Sequence, residues 1–288
     1  MDKSLFCFGF GFTARQIAAD FPQLRVMGTG RSPTGEVRDG GIPLFPFHRE
    51  QPVEDFVDVA GDVTHILLSI PPDGAGDLVY DVMAEDILRL KNLRWIGYLS
   101  TTGVYGNLDG GWVDEESPYN PSGERGKRRM RAEQAWRGLF EAKGLPLHIF
   151  RLPGIYGPGR NQLVSLKNGK ARRIAKSGQV FSRIHVADLA AILMASMEKP
   201  DPGAIYNVAD DESAPPQDVV AHAAELLGME PPPQIDFDKA DLSPMARSFY
   251  SDSKRVSNAK IKSELGVSFK FPTYREGLAA LLDGEIGI

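Results

Sequence analysis

With 288 residues, 42% of them hydrophobic and 25% charged, the chain suits one large α/β unit with an appended lobe, and this composition excludes disorder. The 33 Lys and Arg against 38 Asp and Glu leave a net charge of −5, which argues against a dedicated nucleic-acid binder. The one cysteine, Cys7, lies in an apolar run, so no internal disulfide or cysteine-rich metal site is expected, and a reducing compartment is.

The chain opens on Leu5-Phe6-Cys7-Phe8, ends that run in Gly9-Phe10-Gly11-Phe12-Thr13-Ala14, and continues with the helical spacing Ala14, Ile17, Ala18, Phe21. Strand, tight turn and helix follow one another. A G-x-G-x-x-A turn aims backbone N–H groups and the positive end of a helix dipole at one place, which suits a diphosphate. Gly9 is expected to make the turn, Gly11 to admit phosphates, and Ala14 to keep helix and strand close.

Residues 24–27 predict a second strand, ending in Gly28-Thr29-Gly30-Arg31-Ser32, and residues 44–47 a third. Residues 65–70 predict a fourth, stopped by Pro71-Pro72, and a helix over 77–90 follows. A fifth strand over 94–99 runs into Ser100-Thr101-Thr102, then come a Gly- and Pro-rich loop over 103–123, a basic helix over 125–142 and a sixth strand over 147–152. This alternation implies right-handed crossovers and a doubly wound parallel sheet of the Rossmann type, covered on both faces.

Beyond Leu152 the rhythm changes. Val186, Leu189, Ala190, Leu193 and Met197 give a clean helical stripe, residues 204–208 a returning strand, and residues 215–227 and 275–282 further helices. The expected division is a dinucleotide-binding domain of 1–155 plus about 184–210, with a smaller substrate lobe of 156–183 plus 211–288 facing the carboxyl edge of the sheet. No apolar run reaches about 18 residues and glycines interrupt the first one, so neither a membrane span nor a signal segment is expected, and a cytoplasmic location is.

Several motifs occur in a fixed order. Ser100-Thr101-Thr102-Gly103-Val104-Tyr105-Gly106 is a hydroxyl-bearing segment ending in Val-Tyr-Gly, and Arg151-Leu152-Pro153-Gly154-Ile155-Tyr156-Gly157-Pro158 reads Arg-x-x-x-x-Tyr-Gly-Pro. Ile184-His185-Val186-Ala187-Asp188, Tyr206-Asn207-Val208 and Ser253-Lys254-Arg255 follow, then Leu265-Gly266 and Glu276-Gly277-Leu278. In that order the chain resembles the extended short-chain dehydrogenase/reductases, the fold of nucleotide-sugar epimerases and dehydratases, as an atypical NAD(P)-dependent epimerase/dehydratase-like member.

The departure from that family lies in the basic helix. The family starts this helix with a Tyr and, four residues later, a Lys, and the Tyr passes a proton during hydride transfer. Aligned through Ala132-Glu133-Gln134, those positions fall on Arg125 and Arg129. A guanidinium has no acceptor and a pKa above ~12, so Arg125 cannot shuttle a proton, although both arginines can hold phosphate or carboxylate oxygens. Tyr105 and Tyr119 remain as substitutes without a partner lysine. Tyr250 with Lys254 and Tyr156 with Arg160 have the spacing, but with 8 Tyr and 33 Lys plus Arg, chance alone supplies about one such pair.

Thr101 takes the place of the family's substrate-binding hydroxyl, with Ser100 as the neighbouring alternative. Arg31 and Ser32 end the second strand where an NAD site wants an acidic side chain, which favours NADP over NAD. Ser69, Ile70 and Pro71 are expected beside the dinucleotide, and Pro153 joins the cofactor-binding set. His185 and Asp188 are expected to start a helix. The cationic run over 167–176, with Arg160 and Arg183, either lines an anionic cleft or is a solvated loop. No metal-ligand spacing occurs. The resemblance implies a small-molecule substrate, anionic or a sugar nucleotide, no nucleic acid or membrane partner, and a monomer or homodimer. The alternative is a non-catalytic NADP-binding, redox-sensing protein.

Overall fold

The computed structural model describes residues 3–31, 37–38 and 41–286. They divide into two units, one of residues 1–101, 127–151 and 190–206 and one of 102–126, 152–189 and 207–288. The second is no small appendage, since it takes about as many residues as the first and includes the loop after the fifth predicted strand.

In the first unit one sheet runs in the order Ile205–Asn207, Leu147–Leu152, Trp95–Thr101, His65–Leu68, Ser4–Phe8, Arg25–Gly30, Ile42–Pro46, Val37–Arg38. The doubly wound α/β fold is present, with an antiparallel strand at one edge. Ser4–Phe8 lies between Arg25–Gly30 and His65–Leu68, parallel to both, with Leu5 opposite Val26 and His65. The strand order reverses beside that first strand, and in such sheets ligands bind at the carboxyl ends there. Leu5, Phe6, Cys7 and Phe8 are fully buried, as a strand covered on both faces requires. Phe6 packs edge-on against Phe56 at 5.1 Å and Phe8 against Phe47 at 5.3 Å, arrangements that suit aromatic quadrupoles.

The helices are Phe12–Asp20, Leu78–Leu88, the twenty-residue Glu124–Lys143 and Val186–Glu198, close to the predicted bounds. Glu124–Lys143 is polar overall, yet it buries Arg129, Ala132, Glu133 and Trp136, which lie one turn apart on one face. Glu133 accepts from Arg151 of the Leu147–Leu152 strand at 2.9 Å, and both side chains are nearly sealed from solvent. Ser100 of the neighbouring strand donates to the same carboxylate.

The second unit holds pairs of strands too short for a periodic signature: Gly154–Tyr156 with Arg183–His185, Arg173–Ala175 with Gln234–Asp236, and Trp112–Val113 with Arg255–Val256. Its core includes Leu163, Val220, Ala223, Tyr274 and Leu278. Among the described residues no helix is long and apolar enough to cross a membrane.

Two stability predictions follow from the buried polar groups of the first unit. Arg151→Met leaves the Glu133 carboxylate buried without its cation, and urea unfolding is expected to show a loss of about 3–5 kcal/mol. A loss under about 1 kcal/mol contradicts that reading of the pair. The second concerns His148, whose Nδ1 donates to Pro146 O and whose Nε2 accepts from Asp201 N–H, fixing a neutral ring stacked on Trp95. Burial pushes His148 down to about 4, so it binds a proton less readily folded than unfolded. Its contribution is therefore present above the unfolded imidazole value, about 6.5, and is lost as pH falls towards 4. His148→Gln is expected to flatten the acid slope of unfolding free energy by about one proton between those limits. An unchanged slope contradicts it.

Candidate functional site

The turn after the first strand is built from three strands. Gly9 has φ +93, and a Cβ there would lie 2.7 Å from Ser69 Oγ and 3.0 Å from Ile70 Cγ1, so only glycine fits without strain. Its N–H donates to Thr29 Oγ1 at 2.9 Å, and Phe10 N–H donates to Thr29 O at 2.9 Å. Ser69 Oγ donates to Gly9 O at 2.7 Å and lies 3.0 Å from Phe8 O. Ser69 and Ile70 thus support the turn from the neighbouring strand, and Thr29 is a supporting residue that sequence reasoning missed. Its signal was position: a hydroxyl at the carboxyl end of the strand next to the turn.

Gly11 behaves differently. It is the N-cap of Phe12–Asp20, makes no side-chain cap and has φ −105, and a Cβ there meets nothing within 4 Å. The chain itself therefore does not require glycine at 11. A nine-residue helix with its N-cap side uncapped and open is the geometry that accepts an anion. Phe10 and Phe12 flank the turn half-buried, while Thr13 and Ala14 are buried and pack the helix down. Arg31 follows the Arg25–Gly30 strand and is exposed. Ser32 lies outside the described residues. Pro71 is exposed, and Pro153 is half-buried in the second unit. Cys7 is buried and its thiol is pushed up by burial, which leaves it inert.

At the carboxyl end of Trp95–Thr101, alternate residues turn to different partners. Ser100 is buried with its hydroxyl on Glu133, whereas Thr101 is half-buried. Arg129 is also buried. Its Nη1 donates to Leu99 O at 2.8 Å and to Tyr98 Oη at 3.1 Å. Tyr98 Oη donates in turn to Asp77 Oδ2 at 3.2 Å, and Asp77 Oδ1 caps the Leu78–Leu88 helix through Tyr80 N–H. Burial raises the Asp77 carboxyl, opposed by the Tyr80 N–H and the Tyr98 hydroxyl, and burial likewise raises the Tyr98 phenol. The guanidinium at the expected Lys position is therefore a strut between helix and strand. Arg125 is exposed, with its guanidinium 5.3 Å from the Phe249 ring centroid.

In the second unit Tyr105 is buried and donates to Asn207 Oδ1 at 2.7 Å, while Asn207 N–H donates to Glu115. That commitment of the hydroxyl speaks against Tyr105 as a proton carrier. Lys254 is buried with Nζ on Gly106 O at 2.6 Å, and burial lowers its affinity for a proton. In the cationic run Arg172 donates to Asp241 O and Lys176 to Tyr250 O, so both brace backbone carbonyls. Asp188 stands in the first turn of Val186–Glu198, and its carboxylate also accepts Lys270 and Phe271 N–H at 2.7 and 3.0 Å. Among the described residues no group of His, Cys, Asp and Glu is arranged to hold a metal ion.

The NAD dependent epimerase/dehydratase family model matches residues 82–209. A conserved protein of unknown function from Silicibacter pomeroyi is 52% identical and superposes with a TM-score of 0.88, covering 98% of this chain and 99% of its own. The dTDP-glucose 4,6-dehydratase of Bacillus anthracis, solved with NAD, is 18% identical with a TM-score of 0.79 over 100% of this chain and 97% of its own. Protein YeeZ of Escherichia coli K12 is 24% identical over 285 residues, 94% of this chain and 97% of its own. The ordered motifs, the doubly wound sheet and these likenesses make the chain similar to the NAD dependent epimerase/dehydratase family over residues 82–209 and consistent with an extended short-chain dehydrogenase/reductase fold.

Proposed function

We propose that the protein binds NADP(H) at the Gly9–Ala14 turn and acts on an anionic, sugar-nucleotide-like small molecule as an oxidoreductase, epimerase or dehydratase of atypical mechanism. The observation that carries this reading is the contrast between Gly9, which the fold requires, and Gly11, which the fold leaves free. A glycine with open space at an uncapped helix N-terminus leaves the backbone accessible, which suits a diphosphate. Arg31 supports NADP, because a guanidinium suits a 2′-phosphate and no Asp or Glu precedes Glu36 after that strand.

When bound, the nicotinamide supplies hydride transfer. The chain's own part is orientation and charge. We assign Thr101, half-buried at the carboxyl end of the Trp95–Thr101 strand, to a substrate carbonyl or hydroxyl. Arg125 is exposed and suits an anionic oxygen. It cannot carry a proton at neutral pH, so we assign that step to water. The locked Arg129 favours a second reading, a cofactor-binding sensor without turnover. NADP-dependent turnover of any sugar nucleotide excludes it, whereas tight NADP binding with no turnover across a nucleotide-sugar panel supports it.

Gly11→Asp tests the site itself. Aspartate is a good N-cap, so apo stability is expected to hold or to rise by about 0.5 kcal/mol, while its carboxylate occupies the anion's place. Calorimetric NADP affinity is expected to fall more than about 100-fold. Arg31→Ala is expected to weaken NADP about 10-fold or more and leave NAD unchanged. Wild-type NADP affinity in Gly11→Asp contradicts the assignment, and equal losses for both cofactors in Arg31→Ala contradict the preference.

A further inference from the structure

The second unit contains a buried charge pair that does not pair. Asp210 N–H donates to Arg183 O at 2.7 Å, which makes the two residues backbone neighbours. The Arg183 guanidinium lies over the Tyr274 ring, 5.1 Å from the centroid, with Nη1 sealed from solvent and without a hydrogen-bond partner among the described residues. Asp210 is 3% exposed; its Oδ1 accepts Glu212 N–H at 3.3 Å, and Oδ2 has no partner among the described residues. The Tyr274 hydroxyl is in the same position. Buried polar atoms are nearly always hydrogen-bonded, and leaving one unpaired costs about 1–3 kcal/mol. Three such atoms, two of them on side chains of opposite charge type, lie on residues that act electrostatically on one another through Arg183.

We propose that Asp210 is a proton switch within the second unit: protonated, it leaves Arg183 stacked on Tyr274, and ionised, it draws the guanidinium off the ring into an ion pair. The proton passes to solvent and no other bond changes.

The surrounding charges fit a carboxyl held neutral. Arg183, on Arg183–His185, is the cation that acts on Asp210 and favours ionisation. Asp211 and Glu212 on its own segment oppose ionisation, and both are engaged elsewhere, Asp211 by Asn258 and Lys262 and Glu212 by Arg275. Tyr156, on Gly154–Tyr156, faces both Asp210 and Arg183, with Asp188 and Glu276 also acting on it. Tyr274, at the start of Tyr274–Ile286, faces Arg183. Burial outweighs Arg183 and pushes Asp210 up to about 8. The folded unit thus holds a proton that the unfolded chain releases. The stability this proton gives is present below the ordinary carboxylate range and is lost as pH rises through about 8.

Carbon-13 NMR of the full chain, labelled at Asp carboxyl and Arg Cζ and titrated from about pH 5 to 9.5, tests this. The Asp210 signal is expected to move with a midpoint near 8, and the Arg183 Cζ signal to move with it. In Asp210→Asn, which keeps the shape, Arg183 is expected to be independent of pH over the same range. In Arg183→Met the Asp210 midpoint is expected to rise further, because the cation that favours ionisation is gone. An Asp210 midpoint below about 5, or an Asp210 titration that leaves Arg183 still, overturns the proposal. If Arg183→Met fails to fold, the wild type and Asp210→Asn decide it alone.

Discussion

The left-handed backbone at Gly9 is the constraint on which the first unit turns. The Ser4–Phe8 strand is buried on both faces and must leave the sheet within one residue to start a helix, and the required φ of +93 sets Gly9's non-existent Cβ against Ser69 and Ile70. Thr29 on one neighbouring strand and Ser69 on the other take up the turn's N–H and carbonyl groups. The turn is consequently a product of the strand order: it exists because the sheet reverses direction beside the first strand. The helix that follows begins with an open, uncapped N-terminus. A side chain at Gly11 would meet nothing within 4 Å, so the packing of the described residues does not require glycine there.

The same unit shows how buried polar groups tie a strand end to a helix. Two buried polar struts hold the Trp95–Thr101 strand against the Glu124–Lys143 helix. One joins Ser100, Glu133 and Arg151, and the other joins Arg129, Leu99, Tyr98 and Asp77. Charge-assisted bonds of this kind are worth more in a low-dielectric interior than at a surface, and they fix helix register as well as position. Arg129 spans the distance to the Leu99 carbonyl and is spent there. Thr101 at that strand end is half-buried.

Much of this was legible in the residues, and the reasons for the rest are physical. Every strand of four or more residues among the described residues showed a run or an alternation long enough to read, and the predicted helices lie close to the observed bounds. Strands of two or three residues, such as Trp112–Val113 and Arg183–His185, carry no period at all. Arg129 and Glu133 were in principle readable as buried, because they share the i, i+3, i+4, i+7 face with Ala132 and Trp136, yet a run of five basic residues over 125–131 suggests solvent. Whether Ser100 or Thr101 faces inward depended on strand register, and which hydroxyl Glu133 would claim depended on a contact between elements 33 residues apart. The Arg183–Asp210 neighbourhood had no sequence signature, since a backbone hydrogen bond joins residues 27 apart in the chain.

Amide hydrogen exchange with and without NADP is the most direct measurement of the central claim, that the uncapped turn is where a dinucleotide binds. Saturating NADP is expected to slow exchange at the amides of residues 10–14 and 29–31, by at least about tenfold. Unchanged exchange across those residues, with protection confined to the second unit or absent altogether, contradicts it.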